Sequence, residues 1–167
     1  YLLYNILCRL DVVEPLVGSG HLKTDNIEEI KSLINSNFAL INPKVVCGHL
    51  HLKQAAYLAD KAHAGKYNLS NDRSTEVLLY LTAQRQISKA IEIGGIKEGQ
   101  KSIAWVSFDS IPDSLSSILD FDDSVISCAN FDYSKAQLDE KVISKMNSED
   151  KQKIVMTRTA TLPVQSR

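Results

Sequence analysis

Arg85, Gln86 and Lys89 emerge within an otherwise apolar run that begins at Glu76-Val77-Leu78-Leu79-Tyr80-Leu81 and ends on Gly94-Gly95. Guanidinium and ammonium groups neutralise phosphates, and a glutamine amide can read the edge of an unpaired base. Upstream, Lys53, Lys61 and Lys66 add three ammoniums, and Tyr57 and Tyr67 offer rings on which a base could stack. A basic helical face is more often simply solvated. Residue types alone therefore leave nucleic-acid contact as one reading among several.

A second constellation is His49-x-His51 with His63. It would serve a small metal-dependent enzyme or sensor, but the pair sits at a helix start and lacks a third ligand at a useful spacing. Capping or solvent-facing histidines are the simpler reading. Asp120, Asp122 and Asp123 lack the glycine and distal glutamate of a calcium loop, so a solvated acidic loop is expected. No Gly-x-Ser-x-Gly elbow, phosphate-binding Gly-x-x-x-x-Gly-Lys loop or dinucleotide fingerprint occurs in the sequence. The expectation is a non-enzymatic chain with no catalytic residue, no metal and no cofactor.

The elements that must position these groups are legible from periodicity. Alanine-rich residues 51–64 predict a helix with Leu52, Ala55, Ala59 and Ala62 on one narrow face. Glu76 to Ile93 reads as one long helix in which Ile87, Ala90 and Ile91 prolong the buried stripe, with a left-handed stop at the glycines. Asp25-x-x-Glu28 resembles a capping box before a helix with Ile27, Ile30, Leu33 and Ile34 inward. Strands are expected at 4–10, 39–41, 45–47, 101–108 and 125–128, and residues 11–20 read as irregular. Short helices are expected at 112–119 and 134–146, the latter with Ala136, Leu138 and Val142 inward. A last helix starts at Ser148 and carries Ile154, Val155 and Met156. These elements predict an α+β fold, a mostly antiparallel sheet flanked by helices, in one domain over 1–167 with a frayed tail at 163–167.

Charge is unevenly spread. The total is −1, yet residues 44–101 carry nine Lys/Arg against five Asp/Glu, and residues 109–150 three against ten. A basic middle could meet phosphates that the acidic segment would repel. Cys8, Cys47 and Cys128 are odd in number and far apart, which predicts buried free thiols. No bilayer-spanning run or signal pattern appears, so the expected home is the cytosol and, in a eukaryote, also the nucleus.

The motif Glu76-x-Leu78-Leu79-x-Leu81-x-x-x-Arg85-Gln86-Ile87-x-x-Ala90 resembles the kinase-binding (TPRKB-like) subunit of the KEOPS complex. Val46-Cys47-Gly48-His49-Leu50-x-x-Lys53-x-Ala55 and Val155-x-x-Arg158-x-x-x-Leu162 are similar as well. Ala83 departs from that pattern, which would have a glycine-like break there. The resemblance implies an accessory subunit that docks on the small atypical kinase of KEOPS, meeting the other subunits indirectly. It also implies a grip on the 3′ CCA end of tRNA for threonylcarbamoyl-adenosine modification. On that reading Lys53, Lys61, Lys66, Arg85, Gln86 and Lys89 contact tRNA. Kinase-docking candidates are Ile154, Met156 and Arg158, with the Ile27/Ile30 helix as another; each has an equal reading as core.

Overall fold

Gly18-Ser19-Gly20, expected as irregular chain, lies inside the first strand of the computed structural model, which describes residues 14–164. Strand β1 (Leu16–Leu22) needs glycine there for space rather than flexibility. A Cβ at Gly18 would stand 2.5 Å from Cζ2 of Trp105, and one at Gly20 would run into the Asp120 carbonyl. The strand expected at 4–10, and Cys8 with it, lie outside the described residues.

Three further strands complete the sheet: β2 (Phe38–Ile41), β3 (Ser102–Ser107) and β4 (Leu119–Phe121). Their order is β2-β3-β1-β4 and every pairing is antiparallel. Period-two alternation sends Ala39, Ile41, Ala104 and Val106 to one face and Phe38, Leu40, Ile103 and Trp105 to the other. The first face packs on α2 (His49–Ala64) and α3 (Arg73–Thr82). The second packs on Ile30 of α1 (Ile27–Lys31) and on Leu115 and Ile118 of α5 (Leu115–Ile118). The α+β expectation is met.

Local differences have local causes. Helix α1 is capped by Asn26, whose side chain accepts from Glu28 and Glu29 N–H at 3.1 and 3.3 Å, so the box begins one residue later than Asp25. Only Ile30 of that helix is buried. Residues 45–47 are no strand: Pro43–Val45 form a 3₁₀ turn, as Pro43 at its first turn favours. Residues 125–128 fall in two 3₁₀ turns, Asp123–Ile126 and Cys128–Asn130, pinned by Asp122 and Ser127 side chains accepting backbone N–H groups. The helix expected at 134–146 shrinks to α6 (Glu140–Ile143), which buries Ile143 and leaves Val142 exposed. The last helix, α7 (Ser148–Thr161), agrees, and a 3₁₀ turn follows at Leu162–Val164.

The chief revision concerns the long helix. It is two helices, α3 and α4 (Ile87–Gly94), broken where Ala83 adopts a left-handed conformation with φ 52°. The break is closed by Gln84 N–H donating to the Leu79 carbonyl at 3.1 Å. Gly95, by contrast, is extended (φ −72°) and supplies no left-handed stop. Ala90 and Gly94 let α4 approach α3 closely, since a Cβ at Gly94 would meet Thr82 and Leu78 side chains at 3.0 and 3.2 Å. The expected burial of Ile87 and Ile91 fails: they are 40% and 48% exposed. Among the described residues, no helix is long and apolar enough to cross a membrane.

Candidate nucleic-acid and partner interface

Helix α2 is a rigid platform because Leu52, Ala55, Ala59 and Ala62 are fully buried beneath it. Its opposite face carries Lys53, Tyr57 and Lys61 at i, i+4 and i+8, which a 3.6-residue period stacks in one row. All three are exposed, and the Lys61 ammonium lies 5.3 Å from the Tyr57 ring centroid. With Glu14, Pro15 and Asp60 they line a recess of about 200 Å³.

A second recess, about 90 Å³, is lined by Tyr67, Leu69, Tyr80 and Arg85 with Glu76, Leu162 and Pro163. Glu76 is buried yet satisfied. Its carboxylate accepts from Leu69 N–H at 3.1 Å and from Ser70 N–H at 2.7 Å, fixing the loop between α2 and α3. Burial, then the Glu76 charge and Tyr67, push the Tyr80 hydroxyl up to about 12, so it stays protonated. In the sequence Glu76 stands only at the head of a motif. A glutamate seven residues past Leu69 gave no signal of that contact.

Lys66, Gln86 and Lys89 are exposed and line neither recess. The six candidate tRNA contacts therefore do not meet in one pocket: Lys53 and Lys61 share the first, and Arg85 borders the second. Among the described residues, the ion pairs join His21–Asp122, Lys23–Asp120, Arg73–Asp60, Lys101–Asp25 and Lys153–Glu149. None of them takes Lys53, Lys61, Lys66, Arg85 or Lys89.

The acidic loop is self-organised. Asp122 accepts from Ser124 Oγ at 2.7 Å and contacts His21 Nε2 at 2.9 Å, which together hold its carboxyl down at about 2. Ser134 likewise lowers Asp132.

Helix α7 is anchored by a buried polar relay. Cys47 N–H donates to His51 Nδ1 at 3.0 Å, so Nε2 holds the proton and donates to Thr159 Oγ1 at 2.9 Å. Thr159 in turn donates to the Tyr80 carbonyl at 2.9 Å. Both imidazole nitrogens are used, so His51 has no lone pair for a metal, and the His49/His51/His63 site does not assemble. Desolvation lowers the His51 pKa to about 4. Among the described residues, no three His, Cys, Asp or Glu side chains are grouped to hold a metal ion.

Cys47 and Cys128 are brought side by side next to Phe131 and Val155, a pairing that the expectation of separate free thiols did not include. A separation of 81 residues gives no sequence-level hint of it. Of the docking candidates on α7, Ile154 and Met156 are half-buried. Arg158 is partly committed internally, donating to the Ala136 carbonyl, and burial lowers its pKa.

Comparison with known proteins extends this description. A protein from Pyrococcus abyssi (strain GE5 / Orsay), named KEOPS complex subunit Cgi121, is 31% identical over 105 residues, 63% of this chain. That match spans 58% of the relative's length. Residues 22–159 match the family described as Kinase binding protein CGI-121, which takes in strands β2, β3 and β4, helices α1 to α6 and most of α7, but only the last residue of β1. The chain belongs to the kinase-binding CGI-121 family.

Proposed function

We propose that this chain is a non-catalytic KEOPS subunit that binds and regulates a small atypical protein kinase and helps to recruit tRNA by its 3′ CCA end. The observation that supports kinase binding most directly is the family match over 22–159. The name of the Pyrococcus relative supports a place in KEOPS. The residues assigned to the kinase are Ile154, Met156 and Arg158 of α7, the first two flanking buried Val155. Half-buried Ile154 and Met156 could complete their burial against a partner, about 25 cal/mol for each Å² of apolar surface removed from water.

Recruitment of tRNA rests on Lys53, Lys61, Lys66, Arg85, Gln86 and Lys89. The five cations among them are exposed and stand outside the ion pairs of the described residues. Cations outside internal ion pairs can replace the counterions of a phosphate backbone. Retardation of deacylated tRNA, intact against stripped of CCA, tests the reading. Binding should weaken without CCA, and charge removal at Lys61 and Arg85 should flatten the salt dependence. Equal retention and an unchanged salt slope would refute that surface. Transfer of threonylcarbamoyl groups belongs, on this reading, to partner subunits.

A further inference from the structure

Backbone contacts hold Cys47 and Cys128 together independently of any bond between their sulfurs. Gly48 N–H donates to the Ile126 carbonyl at 2.7 Å, and Asp132 N–H donates to the Lys44 carbonyl at 2.8 Å. Segments 44–48 and 126–132 are thereby fastened side by side, with the two cysteines between the fastenings. The cysteines are not equivalent. Cys47 is fully buried against Phe131 and Val155. It is also a junction, for its N–H donates to His51 of α2 and its carbonyl accepts from Gln152 Nε2 of α7 at 3.2 Å. Cys128 is half-buried and lines an open recess of about 350 Å³ with Ser127, Tyr133, Ser148 and Lys151. The Lys151 ammonium lies 5.6 Å from the Tyr133 ring centroid, which puts a cation on the rim of that recess.

We propose that Cys47 and Cys128 are a reversible dithiol–disulfide switch, oxidised by glutathione disulfide, that staples helix α7 to the body of the domain. Exchange begins at Cys128, which the recess opens to solvent, and Lys151 offers a counter-charge to a glutathione carboxylate. The Cys128 thiolate attacks one glutathione sulfur; the bond between the two glutathione sulfurs breaks, and the first glutathione leaves as a thiolate and takes up the proton that Cys128 had lost. Cys47 then attacks Cys128 Sγ, and its proton goes to the second glutathione as that departs. Two protein thiols and one glutathione disulfide become one protein disulfide and two glutathione thiols. The bridge joins residues 81 apart in sequence and locks together the two segments on which α7 rests, where Val155 packs on Cys47 and Gln152 bonds its carbonyl. Excess thiol reverses both steps. The staple does not depend on what α7 docks on.

The test equilibrates the full chain with glutathione disulfide or with dithiothreitol, then reads peptide mapping by mass spectrometry, melting temperature and hydrogen exchange. The oxidised wild type should yield a linked pair of peptides carrying Cys47 and Cys128, melt about 5–15 °C higher than the reduced protein, and exchange the α7 amides severalfold more slowly. Cys47→Ala should keep one glutathione on Cys128, because nothing remains to displace it. Cys128→Ser should take up no glutathione at Cys47 and should melt alike in both buffers. Melting in dithiothreitol shows that each variant is folded before its thiols are scored. Thiols at 47 and 128 that stay free in glutathione disulfide would overturn the switch, as would a link from either of them to Cys8. Glutathione on Cys47 of Cys128→Ser would overturn the order of attack. A bridge that forms while the α7 amides exchange at an unchanged rate would overturn the staple.

Discussion

Acidification should weaken the fold in a window set by His51. Its ring is sealed between Cys47 N–H and Thr159 Oγ1, and burial lowers its pKa to about 4 against 6.5 in an open chain. Between those values the unfolded chain binds a proton that the folded one refuses. Stability therefore rises with pH from about 4 to 6.5 and is flat for this group above and below. One pKa unit is about 1.4 kcal/mol, so the whole window is worth about 3 kcal/mol, a large part of a small domain's stability. Asp122 titrates lower, between 3.8 and about 2, and leaves the His51 window clear. Urea denaturation followed by circular dichroism from pH 7 to 4 reads the slope. His51→Gln keeps an acceptor and a donor at the position but cannot titrate; it should lose stability at pH 7 and lose most of the slope between pH 4.5 and 6.5. Identical slopes in the two proteins would refute the reasoning.

Other perturbations follow from single contacts. Ala83→Gly relieves a left-handed alanine and should raise the urea midpoint by the equivalent of a few tenths to 1 kcal/mol; a lowered midpoint would contradict the strain assigned to φ 52°. Gly18→Val should cost roughly 1–3 kcal/mol by driving a side chain into the Trp105 indole, read as a drop in Tm, and a neutral effect would mean that the indole can move aside. Glu76→Ala strips the Leu69 and Ser70 N–H groups of their acceptor, so those two amides should exchange faster and stability should fall by roughly 1–3 kcal/mol; unchanged exchange would show that the loop holds itself.

Much of this architecture could be read from residue pattern, and the failures share one cause. The alanine face of α2 and the apolar strands at 39–41 and 101–108 are local signals, and they appear in the fold as expected. What escaped was fixed by contacts distant in sequence. Gly18 and Gly20 resemble a turn until Trp105 and Asp120 are laid beside them. Ile87 and Ile91 keep a flawless helical period but face solvent, because one left-handed residue at Ala83 re-aims the helix that bears them. The candidate site was legible as residue types and not as an assembly. Spacing along α2 predicts the Lys53–Tyr57–Lys61 row, whereas the separation of Arg85 into another recess depends on the loop held by Glu76 and on Leu162 from the chain's far end. The His51–Thr159 relay spans 108 residues and had no sequence signature.

Kinase binding itself is read by sedimentation velocity of this chain mixed with its cognate small atypical kinase. An equimolar complex is expected, which Ile154→Asp or Met156→Asp weakens without lowering the melting temperature of the free chain. Two independently sedimenting proteins at micromolar concentration would contradict it.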